Sequence, residues 1–103
     1  MLDYTTEIEG KSIKVHLNGD LDIECTEFLE DELLSLVSEY KVVDFTFENV
    51  AFVDSSGIGL LINMIQELQK LDREVTISHI RADVLEVFEL LQIPDIVGKN
   101  IFR

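Results

Sequence analysis

Residues 42–71 read VVDFTFENVAFVDSSGIGLLINMIQELQKL, and they contain the strongest strand and helix signals of the chain. The first part of this stretch, Val42 to Phe47, is rich in β-branched and aromatic residues, which predicts a central strand. Val50 to Val53 continue the apolar character up to Asp54. From there to Leu71 the apolar residues recur at three- and four-residue spacing, which predicts a long helix. One stripe of this helix consists of Ile58, Leu61, Ile62, Ile65 and Leu68.

The residues before this stretch predict a hairpin of two half-buried strands. Tyr4 to Glu9 and Ser12 to Leu17 alternate apolar and polar side chains. Gly10-Lys11 between them suits a tight turn. Residues 18–20 (Asn-Gly-Asp) predict a second turn, which ends the second strand. His16 falls on the polar side of that strand, so we expect it to face solvent.

Ile23 to Tyr40 predict a helix between the hairpin and the central strand. Apolar residues recur at helical spacing, and Asp22 is placed to cap the start. We expect Cys25 to be a packing residue, because no basic neighbour in the sequence lowers the pKa of its thiol. The apolar positions are Cys25, Phe28, Leu29, Leu33, Leu36 and Val37.

Downstream of the long helix the pattern predicts one more strand, Glu74 to Ser78, and one more helix, Ala82 to Leu91. Pro94 is expected to end that helix, because proline cannot continue its hydrogen-bond ladder. Ile101-Phe102 allow a last short strand. The order β-β-α-β-α-β-α, with an optional final β, predicts an α/β fold with a mixed sheet. The strands after the hairpin would be parallel and joined by right-handed crossovers. Residues 1–103 are expected to form a single domain.

The composition limits the partners and the compartment. The chain carries 21 acidic against 8 basic side chains, a formal net charge of -13. Such a chain repels phosphate backbones and anionic lipid, so nucleic acid and membrane surfaces are poor partners. A solvated acidic surface and a partner with a basic face both stay open, and charge alone favours the first. A lone cysteine, Cys25, fits a reducing compartment, so we expect a cytoplasmic protein. The N-terminal residues lack a basic region followed by an apolar run, so we do not expect them to act as a signal peptide.

The segment Asp54-Ser55-Ser56-Gly57-Ile58-Gly59 lies where the central strand leads into the long helix. Short polar residues there can cap the first N–H groups of the helix. Capping accounts for Asp54, Ser55 and Ser56 but not for the two glycines, each of which costs about 1 kcal/mol within a helix. Gly57 and Gly59 therefore indicate a close approach to the backbone. A helix N-terminus also tolerates an anion, so phosphorylation of a serine here is the alternative to plain capping.

Catalytic and ligand-binding motifs are missing from this segment. It lacks both the lysine-containing P-loop and the Gly-x-Gly-x-x-Gly pattern, and it lacks the Gly-x-Ser-x-Gly of a nucleophile elbow. Neither His16 nor His79 has a second metal ligand at the usual spacing. Asp54 ends a strand, as the phosphoacceptor of a response regulator does, but no lysine follows the strand at 74–78. We therefore predict no cofactor, no metal and no catalytic residue. A catalytic pair of Ser55 with His79 is the enzymatic alternative.

The motif resembles the signature of STAS domains, in particular those of the bacterial anti-sigma factor antagonists. Gly19-Asp20-Leu21-Asp22 is similar to a second element of that family, Gly-x-Leu-Asp, and the resemblance covers nearly the whole chain. Two features differ from the antagonists: the sequence stops at Arg103, where many continue into a further helix, and Pro94 stands where a glycine-containing turn is common.

The resemblance implies a role in partner switching. An unphosphorylated antagonist binds an anti-sigma factor that is also a serine kinase, which frees the sigma factor. The kinase phosphorylates the serine that corresponds to Ser55, and a serine phosphatase resets it. The implied contact surface comprises Asp22, Asp54, Ser56, Gly57, Ile58 and Gly59.

Two alternatives stay open. Leu60 and Met64 fall off the apolar stripe of the long helix, so they suit either a binding surface beside Ser55 or packing against neighbouring helices. Other STAS domains are scaffolds or auxiliary subunits of stressosomes and transporters, which gives a constitutive binding role as the second hypothesis for the chain.

Overall fold

The computed structural model describes residues 2–22 and 32–102 of the chain. Within those ranges it has four strands, four α-helices and a short 3-10 helix. In chain order the bounds are Asp3–Glu9 (β1), Ser12–Leu21 (β2), Leu34–Val37 (α1), Val42–Val53 (β3), Ser55–Lys70 (α2), Glu74–Ser78 (β4), Ala82–Leu90 (α3), Ile93–Val97 (α4) and Lys99–Ile101 for the 3-10 helix.

The strands form one mixed sheet in the order β1-β2-β3-β4. β1 and β2 form the predicted antiparallel hairpin, whereas β2–β3 and β3–β4 are parallel pairs. Each parallel strand lies beside the one before it, so right-handed crossovers place α1 and α2 on the same face of the sheet. The predicted α/β fold, with parallel strands after an N-terminal hairpin, is confirmed.

The core lies between that face of the sheet and the helices. Alternate residues of β2 and β3 point into it, as the two-residue period of a strand requires. Full burial of a large apolar side chain stabilises the fold by about 1.5–3 kcal/mol, so the long strand β3 and helix α2 contribute much of the core's stability. The buried set includes Ile13, Val15 and Leu17 from β2, Val43, Phe45 and Phe47 from β3, and Ile58, Leu61, Ile65 and Leu68 from α2.

The opposite face of the sheet is polar. The Asp44 carboxylate accepts hydrogen bonds from the hydroxyls of Thr76, at 2.6 Å, and Ser78, at 2.8 Å, which ties β4 to β3. His16 lies on this face, as predicted, with its Nε2 2.8 Å from Oε2 of Glu7. That hydrogen bond, with the charge of the imidazole, lowers the pKa of the Glu7 carboxyl.

The predicted turn at residues 18–20 is wrong. β2 continues to Leu21 and stays paired with β3, with register shifts between His16 and Asn18 and between Gly19 and Asp20. The side chain of Asn49 on β3 donates to Oδ1 of Asn18 at 2.8 Å. Pairing with the long neighbouring strand thus overrides local turn propensity, and the irregular register accommodates the turn-forming residues as a bulge.

The predicted end of the third long helix is correct in place but wrong in cause. α3 stops at Leu90 because Gln92 adopts a left-handed conformation, φ 58°, which reverses the chain. Pro94 lies in the first turn of α4, where its missing N–H has no helical partner to lose. Ile101-Phe102 do not form a strand: a 3-10 helix ends at Ile101, and Phe102 makes an isolated parallel bridge to Ile77.

Part of the predicted helix at 23–40 falls outside the described residues. Cys25, its packing role and the proposed cap by Asp22 all depend on residues 23–31. In the described part, α1 spans Leu34–Val37, and residues 32 and 33 immediately before it are π-helical. Leu33 and Val37 are fully buried, as their helical spacing predicted.

Candidate functional site at the start of helix α2

Two parallel strands bring the acidic residues and the serines of the motif to one edge of the sheet. Leu21, the last residue of β2, lies in register with Val53, the last residue of β3. The backbone N–H of Asp54 then donates to the carbonyl of Leu21 at 3.1 Å. Because the carboxyl ends of the two strands are adjacent, Asp22 and the Asp54-Ser55 step lie at the same edge.

Asp54 is the N-cap of α2. Its backbone is extended (φ -120°, ψ 172°), and its Oδ1 accepts a hydrogen bond from the N–H of Gly57 at 2.8 Å. Its carbonyl accepts the first helical bond, from Ile58, at 2.9 Å. Capping therefore explains Asp54 but not the serines: Ser55 and Ser56 are the first two residues of the helix, and both are exposed.

Gly57 is the point at which the backbone of β2 meets the helix. A Cβ at this position would collide with the carbonyl group of Leu21 and lie 2.8 Å from the backbone nitrogen of Asp22. The predicted close approach to Gly57 is therefore real, and the approaching group belongs to the chain itself. The missing side chain lets α2 start directly against the end of β2.

Gly59, two residues later, lies in a different environment. It is exposed, and a Cβ built on it meets nothing within 4 Å among the described residues. Glycine in a helix interior is about 1 kcal/mol less favourable than alanine. No contact within the described chain accounts for this cost.

The remaining apolar residues of the motif point into the core. Gly57 and Ile58 are buried, and Leu60 and Met64 are only 8% and 2% exposed. In the isolated chain, Leu60 and Met64 therefore pack in the core rather than form an exposed binding surface. α2 buries more than one stripe because the sheet and the later helices both cover it. We leave these buried side chains out of the contact surface defined below.

One exposed aromatic beside the site was missed by the sequence analysis. Phe52 is 52% exposed, lies in register with Asp20 on β2 and precedes Asp54 by two residues. The sequence analysis grouped it with the buried end of β3, because Val50 to Val53 are uniformly apolar. The irregular register of β2 and β3 was the missing information, since it sets which apolar residues turn outward.

Basic side chains are missing from the part of α2 that carries Ser55. The residues from Asp54 to Gln69 include no lysine or arginine, and Lys70 lies at the far end of α2. Within α2 itself, the positive end of the helix dipole is therefore the source of positive potential beside the serines.

The enzymatic alternative is not supported by the geometry. β4 ends at Ser78, opposite Thr46, whereas β3 continues seven residues further, to Val53. At roughly 3.3 Å per strand residue, Ser55 lies about 20 Å beyond the level of His79. The structure does not bring this pair together. Among residues 2–22 and 32–102, no group of three or more His, Cys, Asp or Glu side chains is arranged to hold a metal ion.

Comparison with known proteins gives the family. The STAS domain model matches residues 4–103. The anti-sigma-B factor antagonist of Staphylococcus aureus (strain NCTC 8325 / PS 47) is 26% identical over 100 residues, which cover 96% of this chain and 93% of that protein.

Solved structures confirm the likeness in fold. The Bacillus cell fate determinant SpoIIAA in its phosphorylated form has a TM-score of 0.72 and 19% identity, covering 98% of this chain and 89% of that one. A sulfate transporter family protein from Wolinella succinogenes has a TM-score of 0.80 at 14% identity, covering 93% and 79%. No helix in the described part of the chain is long and apolar enough to cross a membrane.

Proposed function

This chain belongs to the STAS domain family, and we propose that it acts as an anti-sigma factor antagonist controlled by phosphorylation of Ser55. The observation that carries the proposal is the exposed side of the first turns of α2, where two serines and an unexplained glycine follow the Asp54 cap. The similarity to the S. aureus anti-sigma-B factor antagonist supports the choice of partner.

The proposed contact surface consists of exposed and half-buried residues at this edge of the sheet. Gly59 leaves a flat place on α2 where a partner can approach the helix backbone closely. Phe52 adds a half-exposed aromatic ring, a residue type that is enriched in protein interfaces relative to the rest of the surface. We name this set the α2 contact surface; it comprises Asp22, Phe52, Asp54, Ser55, Ser56 and Gly59.

Phosphorylation would act on binding rather than on the fold. A phosphate on Ser55 adds nearly two negative charges beside Asp54. In the free chain the α2 dipole offsets part of this repulsion, by about 0.3–1 kcal/mol at an exposed helix end. In the complex the same group would be desolvated, and an unpaired buried charge costs several kcal/mol. A penalty of about 4 kcal/mol corresponds to a thousandfold loss of affinity.

The proposal includes the enzymes that add and remove the phosphate on Ser55. The partner is an anti-sigma factor with serine kinase activity, and a serine phosphatase returns the chain to its binding form. Residues 1–103 would act as one domain in the cytoplasm. The net charge of -13 argues against nucleic acid and anionic membranes as partners.

The proposal is tested by displacement. A complex of the cognate anti-sigma factor with its labelled sigma factor is titrated with the unmodified chain, and released sigma factor is measured by fluorescence anisotropy. We expect release by the wild-type chain and none by Ser55→Asp. Release by both proteins would contradict the proposed control by phosphorylation of Ser55. Release by neither protein would contradict the proposed antagonist function.

The same experiment separates the second hypothesis, a constitutive STAS scaffold or auxiliary subunit. The likeness to the Wolinella protein concerns the fold alone. A scaffold would bind its partner equally well before and after Ser55→Asp, and it would not release a sigma factor.

A further inference from the structure

The segment where α3 meets α4 carries three exposed apolar side chains. Leu90, Leu91 and Ile96 are 75%, 45% and 52% exposed, and they fall within seven consecutive residues. In the described chain they are half of the six large hydrophobic side chains that are exposed. Single exposed apolar residues are ordinary, but a local concentration of this kind is typical of an interaction site. We call these three residues the α3–α4 corner.

The corner is held in place by its buried neighbours. Val84 and Phe88 lie on the buried side of α3, and Leu90 follows Phe88 by two residues, about 200° around the helix. Ile93 and Val97 anchor α4 in the same core. Leu90 therefore points outward because the buried side of α3 is fixed, and it cannot turn inward without displacing Phe88.

The corner lies at the opposite end of the molecule from Ser55. α2 starts at the edge of the sheet that carries Ser55 and runs about 21 Å to Gln69, at 1.5 Å per residue. There the Gln69 side chain donates to the carbonyl of Val97 in α4 at 3.0 Å. A protein bound to the corner would therefore leave the α2 contact surface free.

The charge around the α3–α4 corner favours a basic partner. Residues 82–98 include four carboxylates and no lysine or arginine. Glu86 and Glu89 are exposed on α3, and Asp95 is exposed on α4. Two copies of the chain would bring these carboxylates together, and like charges disfavour such a pairing. A basic partner would instead gain from them.

We propose that the α3–α4 corner is a second docking site, which binds a basic amphipathic helix of another protein. The apolar stripe of that helix packs on Leu90, Leu91 and Ile96, while its lysines and arginines face Glu86 and Glu89. Binding there is independent of the phosphorylation state of Ser55, so the site would persist if the antagonist function were disproved.

The test maps a synthetic amphipathic peptide, with leucines at helical spacing and lysines elsewhere, onto the ¹⁵N-labelled chain by NMR. We expect shift changes in residues 86–97 and none at 54–59. A peptide of the same composition in scrambled order should bind at least tenfold more weakly. The double variant Leu90→Gln/Leu91→Gln should lose at least tenfold in affinity. Ile8→Gln, which changes an apolar residue of β1 that is 54% exposed, should keep the wild-type affinity.

Three results would overturn the proposal: equal binding of the two peptides, shift changes away from the corner, or equal effects of the double variant and Ile8→Gln. Sedimentation equilibrium of the free chain tests the competing occupant. A dimer that disappears in the double variant would assign the corner to a second copy of the chain and contradict the proposal.

Discussion

The buried and the exposed sides of the first turns of α2 carry the same residue type for different reasons. Gly57 faces the end of β2, and a side chain there would collide with the Leu21 carbonyl. Gly59 faces solvent, with open space where its side chain would be. The first glycine is required by the fold. The second costs stability, and no contact within residues 2–22 and 32–102 accounts for that cost. A binding surface that a partner approaches closely would produce such a glycine.

The largest effect is expected from Gly57→Ala. The added methyl group meets backbone atoms, which cannot rotate away, so α2 must move from the end of β2. Overpacking of this kind typically costs 1–3 kcal/mol, and we expect about 3 kcal/mol because the obstacle is a carbonyl group. Urea denaturation measures the change. An unchanged midpoint would mean that α2 does not lie as close to β2 as described.

Ser55→Asp tests the exposed side. We expect at least a hundredfold loss of affinity for the cognate anti-sigma factor, about 2.7 kcal/mol, with a cooperative thermal melt close to that of the wild type. Titration calorimetry gives the affinity. Ser55→Asn is the matched control, because it has nearly the same size without the charge, and it should bind at least tenfold more tightly than Ser55→Asp. An equal loss of affinity in Ser55→Asp and Ser55→Asn would mean that the size of the side chain, rather than its charge, weakens binding.

Asp54 links the two sides, since it caps the helix from the exposed edge. Asp54→Ala removes the acceptor for the Gly57 N–H and should lower the free energy of unfolding by about 1 kcal/mol. Asp54→Asn retains an acceptor at the cap and should stay within a few tenths of the wild-type value. Denaturant melts of both variants measure the difference, and equal stability of the two would contradict the capping role.

The smallest expected change in stability, and the one of opposite sign, belongs to Gly59→Ala. Alanine is the better helix former, and its methyl group would meet no neighbour in the described part of the chain. The free energy of unfolding should therefore rise by about 0.5–1 kcal/mol. The same methyl group should weaken binding of the anti-sigma factor about tenfold. A variant that is stabilised and binds as well as the wild type would leave Gly59 without a role in recognition.

Local sequence patterns were sufficient to predict the strands and helices in which apolar residues recur at a regular spacing. β3, α2 and β4 lie where apolar residues keep a period of two or of three to four, and their order alone implied the parallel pairs. The strand β2 shows the limit. Its residues 18–20 have turn propensity, but pairing with β3 keeps them in the sheet, and a partner strand 30 residues away is not visible in a local pattern.

The candidate site shows a similar limit. The motif identified Ser55 and Asp54, and the spacing of apolar residues showed that α2 has more than one apolar face. Which of these residues are exposed depends on the layers around the helix. Leu60 and Met64 are therefore buried, whereas Phe52, which belongs to an apolar run, points outward. Likewise, no sequence pattern separates Gly57 from Gly59.

The most direct measurement is mass spectrometry of the chain after incubation with the cognate anti-sigma factor kinase and ATP, with the peptide that contains Asp54 to Gly59 fragmented to locate the phosphate. We expect one phosphate on Ser55, retained in Ser56→Ala and absent from Ser55→Ala. A phosphate on Ser56, or none despite tight binding of the kinase, would contradict it.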